Sequence, residues 1–390
     1  MSKRLPLFYT ATVFLWFALY AYMPYVAPYG REMGADFRLI GVIAGAYGFM
    51  QMLLRFPLGI LSDKLRMRKN FVILGAFFAA LSGFIVYWLP TPLTLLAARG
   101  LAGVAVSSWV IIMILGASYY KRDETTKSVG YLNGANALGR MAALLAGGFV
   151  AERLGFSYAF LISGVAGLIG LVLFMGILEN KPEAADSGKK PPRLMDLLGV
   201  ARNPQLLSAS LLAILSQYIP FATTFGFMPV AAVQLGATNM QLGLLGLVSL
   251  FPGILISPLA GTLFPRKFGV KYTLVIGFLL AGLGSVAVPF CQNLLQLFIL
   301  QLLSNTGTAA TITLLMGLCI QDIPNEQRGT AMGFFQAVYG LGIFLGPFAM
   351  GWLSHELGLM TAFIITGAVG VVGAVATVAY VNKGHLRYIQ

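Results

Sequence analysis

Charge is scarce in this chain. Only 10% of its 390 residues are Asp, Glu, Lys or Arg, while 58% are hydrophobic. Soluble domains hold about 25% charged and about 45–50% apolar residues, so a soluble fold of this length could not hide so much apolar surface. A polar domain is lacking too: apolar segments recur from one end to the other, and the whole chain reads as a single membrane unit. Cysteine is nearly absent. Cys291 and Cys319 stand at opposite ends of one expected span, about 42 Å apart at about 1.5 Å per helical residue, which is beyond disulfide reach. Neither a disulfide framework nor a cysteine metal site is therefore available. The two histidines, His355 and His385, both lie outside the spans, so no metal or cofactor is expected. The chain contains no G-x-x-x-x-G-K-(S/T) sequence, which argues against nucleotide-driven pumping. An enzyme is disfavoured because paired acids and nucleophile–base sets are missing. Period-two alternation is missing as well, and barrel strands would need it.

What is present is a series of apolar runs, each of roughly 20 residues, the length that crosses about 30 Å of hydrocarbon. They fall near 6–27, 39–61, 71–89, 93–118, 128–150, 157–178, 207–231, 240–263, 272–290, 294–319, 328–353 and 359–381. The expected class is an all-α membrane protein of twelve transmembrane helices. The first run follows Met1-Ser2-Lys3-Arg4; it is too long for a signal peptide and no small-residue cleavage site follows, so it reads as a retained helix. If the N-terminus is cytoplasmic, cytoplasmic segments hold 20 of the 26 Lys and Arg, and the opposite side holds Arg31, Arg38 and Arg153. That bias satisfies the positive-inside rule and puts both termini in the cytoplasm. The net charge of +13 then reflects topology and contact with anionic lipid. No basic helix or aromatic platform outside the membrane supports nucleic-acid binding.

One segment breaks the pattern. Residues 179–205 carry nine charges in 27 positions and divide the chain into a first bundle at 1–178, a cytoplasmic linker at 179–206 and a second bundle at 207–390. Residues 194–200 could form a short interfacial helix. The halves also repeat. Gly59-Ile60-Leu61-Ser62-Asp63-Lys64-Leu65-Arg66-Met67-Arg68-Lys69 follows span two, and Gly261-Thr262-Leu263-Phe264-Pro265-Arg266-Lys267-Phe268-Gly269-Val270-Lys271 follows span eight, at an offset of 202 residues. Two short basic loops in equivalent places point to internal duplication.

The first loop resembles the G-x-L-(A/S)-D-(R/K)-x-G-R-(R/K) signature of the major facilitator superfamily at Gly59, Leu61, Ser62, Asp63, Lys64 and Arg68. It departs at Arg66, where Gly is usual, and at Met67, where Arg is usual. In the second loop Gly261, Leu263, Arg266, Gly269 and Lys271 fit, but Pro265 replaces the acid. Arg99 with Gly103 is similar to the family's R-x-x-x-G element, and Gly342, Gly346, Pro347 and Gly351 resemble its Gly/Pro-rich hinge pattern. The resemblance implies two pseudo-symmetric six-helix bundles that rock around a central site in alternating access. It implies coupling or gating roles for Asp63, Lys64, Arg68 and Arg99. Physically, Asp63 at a helix end could accept from a neighbouring helix N-terminus and pair with a basic residue, a latch of a few tenths to about 2 kcal/mol; the plain alternative is that these charges only mark topology.

The charges left inside the spans bear most directly on function. All thirteen carboxylates lie in loops or at span ends, whereas Arg55, Arg99 and Arg140 lie inside. An Arg at the bilayer centre costs roughly 2.5–3.5 kcal/mol on insertion scales. Arg140 shares a helical face with Asn136 and Asn133, a polar stripe suited to anchoring an anion through two parallel hydrogen bonds. Capping of backbone carbonyls is the structural alternative. Arg99 has Ala102, Gly103 and Val106 as neighbours, which close packing explains equally well. Arg55 continues a stripe through Tyr47 and Gln51 and could snorkel. The second half offers Gln217, Tyr218, Gln301, Asn305, Thr308, Gln336 and Tyr339 as a neutral polar wall. Tyr20, Tyr22, Tyr25 and Tyr29 read as an aromatic interface belt, with a gate as the alternative.

These residues point to a monomeric secondary transporter in the cytoplasmic membrane that moves a small organic solute, with an organic anion favoured by three intramembrane Arg and no intramembrane carboxylate. Proton-coupled multidrug efflux of neutral or zwitterionic compounds is the competing expectation, and a non-transporting sensor or scaffold is a third that lacks any soluble module. Coupling to protons could run through a weakly acidic substrate or a rim carboxylate such as Asp36, Asp63 or Glu152.

Overall fold

The computed structural model describes residues 5–65, 67–120, 124–179, 202–324 and 327–382. Every regular element among them is helical. In chain order they are α1 (Leu5–Glu32), α2 (Phe37–Leu65), α3 (Arg68–Trp88), α4 (Pro92–Ala117), α5 (Thr125–Leu154), α6 (Phe156–Met175) and α7 (Pro204–Gln234). The 48-residue stretch Asn239–Val286 then supplies two helices, α8 to residue 268 and α9 over 270–286. After these come α10 (Leu294–Gln321), α11 (Arg328–Leu357) and α12 (Leu359–Asn382).

Among the described residues ten stretches are long and apolar enough to cross a membrane. The count becomes twelve for two physical reasons. Asn239–Val286 would span about 72 Å at about 1.5 Å per residue, and Gly269 breaks it with φ +80°, a conformation in which a side chain would clash. Helix α5 is 30 residues long, and what disqualifies it by hydropathy is the polar stripe that the sequence singled out.

Helix starts follow local chemistry. Thr91 caps α4 by accepting from the Thr94 N–H at 3.2 Å while Thr94 Oγ1 accepts from the Thr91 N–H at 3.1 Å, a reciprocal capping box followed by Pro92. Asn203 and Asn293 cap α7 and α10 through their side-chain oxygens, each at 3.0 Å. Helix α5 passes into α6 at Gly155 (φ +96°) and α11 into α12 at Gly358 (φ +84°), 203 residues later. These corners are a second pair at nearly the offset of the basic loops.

Two compact units result. One takes in the described residues of Met1–Met33, Leu53–Pro192 and Asn239–Leu244; the other those of Gly34–Met52, Arg193–Thr238 and Leu245–Gln390. In the first, a β-carbon on Gly139 would sit 2.4 Å from the Val13 carbonyl oxygen, and one on Gly147 would sit 2.1 Å from that of Ala21. Helices α1 and α5 therefore touch backbone to backbone, the small-residue packing that membrane helices use in place of a hydrophobic driving force. In the second, β-carbons on Gly342 and Gly346 would sit 2.1 and 2.5 Å from the Ile214 and Tyr218 carbonyl oxygens, and one on Gly351 2.5 Å from that of Phe37. The Gly/Pro pattern of α11 is thus a contact stripe against α7 and the first half of α2.

Several expectations are corrected. The basic stretch 264–271 is helical except at Gly269, not a loop. The tyrosines are not an interface belt: Tyr20, Tyr22, Tyr25 and Tyr29 are 6%, 0%, 0% and 9% exposed. Tyr22 stacks on Phe160 at 4.5 Å, Tyr25 stacks on Phe156 at 5.4 Å, and the Tyr29 hydroxyl meets Ser157 Oγ at 2.6 Å. The helix expected at 194–200 and the side chain of Asp63 lie outside the described residues.

Candidate functional site

The polar stripe of α5 divides the helix by face. Gly139 and Gly147 face α1, whereas β-carbons at Gly130 and Gly134 would meet nothing within 4 Å. Asn133 is exposed and Asn136 half-buried, so the stripe begins on an open face. Arg140, one residue past the Gly139 contact, is half-buried, and its Cζ stands 4.4 Å from the centre of the Tyr20 ring. Its Nε is buried and makes no hydrogen bond, and among the described residues no carboxylate pairs with it. The stack on Tyr20 contributes about 0.5–2 kcal/mol, less than the roughly 2.5–3.5 kcal/mol that an intramembrane Arg costs. The site therefore has capacity for an acceptor that no described residue supplies.

Aromatic rings extend this region. Trp16 lies one helical turn before Tyr20 on α1, with ring centres 5.9 Å apart, and meets Trp109 of α4 edge to face at 5.2 Å. Trp16 is 7% exposed, yet its Nε1 has no acceptor. A buried donor in that condition costs about 1–3 kcal/mol, and buried Trp normally finds a partner. Sequence reasoning missed Trp16 and Trp109; the i, i+4 spacing of Trp16 and Tyr20 was the available signal. Arg99 is 3% exposed inside α4, and Arg55 is half-buried in the second half of α2.

At one end of the same unit, Lys64 is exposed and Arg68 half-buried. The contact at this end comes from Glu179, which accepts the backbone N–H groups of Arg68 and Lys69 at 2.9 and 3.1 Å. A carboxylate on the first turn of α3 is favourable by roughly 0.3–1 kcal/mol. Lys69 Nζ donates to the Met175 carbonyl at 2.8 Å and the Tyr119 hydroxyl to that of Leu178 at 2.5 Å. Burial, with the Glu179 charge added, pushes the Tyr119 hydroxyl up to about 12.

The second unit treats its polar residues differently. Asn305 and Thr308 are each 8% exposed and Gln301 is fully buried. Asn305 Nδ2 donates to Thr224 Oγ1 at 3.2 Å and to the Gln301 carbonyl at 2.8 Å; Thr224 Oγ1 donates to Gln301 Oε1 at 3.4 Å. Thr308 Oγ1 donates to the Ser304 carbonyl at 3.1 Å, and Ser216 and Thr311 join α7 to α10 at 2.7 Å. This α10 face is knitted to α7 where α7 opens into a π-turn at Thr223–Phe227, and only the Gln301 Nε2 of this group lacks an acceptor. Gln217, Tyr218 and Gln336 are half-buried, and Tyr339 is buried edge-on to Phe335 at 5.5 Å. Gln51 is 5% exposed, one turn from Tyr47, which stacks on Phe221 at 6.3 Å.

The sequence profile of the Major Facilitator Superfamily matches residues 8–231 and 211–385. An uncharacterized MFS-type transporter of Methanocaldococcus jannaschii is 25% identical over 357 residues, 87% of this chain and 88% of that protein. The multi-drug resistance efflux pump PmrA of Streptococcus pneumoniae is 27% identical over 161 residues, 40% of each chain. In structure, a bacterial homolog of the human lysosomal transporter Spinster superposes with a TM-score of 0.81 over the full length of both chains at 14% identity, a likeness of fold.

Proposed function

Because the chain belongs to the Major Facilitator Superfamily, we propose that it is a secondary active transporter of a small organic anion, working by alternating access in the cytoplasmic membrane with both termini in the cytoplasm. Arg140 carries this reading: an intramembrane guanidinium, stacked on Tyr20, whose Nε bonds to nothing and which has no carboxylate beside it among the described residues. A guanidinium in that condition is matched by a carboxylate or similar planar anion, which it binds through paired hydrogen bonds. Asn136 and Asn133 extend the donor face. In this reading Asp63, Lys64, Arg68, Arg99 and Arg55 serve coupling and gating. A weakly acidic solute carries its own proton, which makes the movement proton-coupled without an intramembrane acid.

Multidrug efflux of neutral or zwitterionic compounds is the second reading, favoured by the likeness to PmrA over 40% of the chain. Proteoliposomes holding the full chain separate the two. Uptake of labelled carboxylates is expected, with no movement of neutral or zwitterionic lipophilic compounds, and a loss of about 100-fold in Arg140→Ala, the scale set by about 2–5 kcal/mol for a desolvated charge pair. Movement of the neutral or zwitterionic compounds without anion movement, unchanged in Arg140→Ala, would overturn the anion reading.

A further inference from the structure

Arg140 is not the only donor left waiting beside the Tyr20 ring. The Trp16 ring centre lies 5.9 Å from that of Tyr20, and the Arg140 Cζ lies 4.4 Å from it. The two side chains come from different helices, and what holds them together is the glycine contact: a β-carbon on Gly139 would sit 3.0 Å from Trp16 Cβ. Each carries a buried nitrogen, Nε1 of Trp16 and Nε of Arg140, that no described group accepts from. Trp16 is more than nine-tenths buried, so its N–H is withdrawn from bulk solvent.

Two buried donors flanking one ring are complementary to a single acceptor with two oxygens. The surroundings narrow the class. Trp16, Tyr20 and Trp109 make the region aromatic, with Trp16 and Trp109 edge to face at 5.2 Å, which disfavours small, strongly hydrated anions and suits a flat apolar body. We propose that Trp16 is a specificity-determining residue of the same anion site, its indole N–H donating to one carboxylate oxygen while Arg140 donates to the other, and that the ligand class is a carboxylate borne on a flat, unsaturated body. The assignment rests on the anion reading above and adds to it the identity of the second donor and the shape of the ligand.

Trp16→Phe keeps a ring and removes the N–H. The full-length protein is compared with this variant by thermal stabilisation and by uptake into proteoliposomes, using benzoate, its neutral isostere benzamide, and acetate. For the unsubstituted protein, benzoate is expected to stabilise most, acetate weakly and benzamide not at all. Trp16→Phe is expected to weaken benzoate about tenfold, about 1.4 kcal/mol, while its unliganded melting temperature stays level or rises, because an unpaired donor has been removed. Trp88→Phe, a change at an exposed Trp outside the proposed site, is expected to retain the benzoate response. A fall in the unliganded melting temperature of Trp16→Phe with unaltered benzoate affinity would mean that the N–H is structurally bonded, and would overturn the assignment. So would a ranking in which acetate equals benzoate. If Arg140→Ala removes anion uptake while Trp16→Phe changes nothing, the anion reading stands and this inference alone fails; if Arg140→Ala is itself silent, both fail.

Discussion

The seam between α1 and α5 and the seam between α7 and α11 are built on one plan. Gly139 meets the Val13 carbonyl in the first, and Gly342, 203 residues further on, meets the Ile214 carbonyl in the second. The residue after each glycine differs. In the first seam it is Arg140 over Tyr20, with Trp16 alongside; in the second it is Ile343, 3% exposed, with Gly48 packed on its side chain. A backbone contact of the same kind thus forms with an aliphatic residue in the position of the cation. Helix packing of this kind therefore does not require Arg140. The polar residues of the second unit fit the same contrast, since Asn305, Thr224, Ser216 and Thr311 are bonded to one another and hold helices together.

The sharpest way to break this comparison is to copy one seam into the other. Arg140→Ile gives the first seam the residue of the second. Anion uptake is expected to fall about 100-fold, the effect of losing one desolvated charge partner, while the unliganded melting temperature holds or rises because an intramembrane charge is gone. A marked drop in that temperature would assign the guanidinium a structural role and dissolve the contrast. Next in size are the glycines that the seams share. Gly139→Val and Gly342→Val each force a side chain against a carbonyl oxygen, where β-carbons would lie 2.4 and 2.1 Å away. Overpacking of this kind costs about 1–3 kcal/mol. Both variants are expected to melt lower, with Gly342→Val at least as affected; a silent Gly342→Val would show that the seams are not equivalent.

Much of this architecture was legible in the amino-acid sequence, because crossing a bilayer demands apolar runs of fixed length and the runs are there. The repeat was legible in the paired basic loops, and Gly155 with Gly358 now gives it a structural counterpart. Arg140 stood out because an intramembrane cation is costly wherever it points. Facing was not legible. Tyr22 and Tyr25 are residue types that suit the membrane interface, yet they sit against Phe160 and Phe156 of α6, and a continuously apolar helix has no polar face to show which side turns inward. Asn305 and Thr308 look alike in sequence whether they face a solute or bond a neighbouring helix, and only Thr224 and Ser304 show the bonds they make. The unpaired N–H of Trp16 is a property of its surroundings, and residue order shows only the i, i+4 spacing to Tyr20.

The smallest expected effect lies at the exposed ends of α2 and α11, both in the second unit. Asp36 caps α2 by accepting the Leu39 N–H at 2.8 Å, and its other oxygen lies 3.5 Å from His355 Nδ1; beside it Arg38 pairs with Glu356. Four charged or titratable groups in register look like a clamp on the two helix ends. Solvent argues otherwise: Arg38 and Glu356 are 51% and 37% exposed, Asp36 and His355 50% and 38%, and pairs so placed contribute about 0–1 kcal/mol. The backbone approach of Gly351 to the Phe37 carbonyl, at the same pair of helices, is the stronger tie. A double-mutant cycle of Arg38→Ala and Glu356→Ala, read by thermal melting of the full chain, is therefore expected to give a coupling below about 1 kcal/mol that shrinks further in high salt. Coupling of several kcal/mol would move the principal contact between these helices from glycine backbone to ion pairs, and would make charge structural in the second unit.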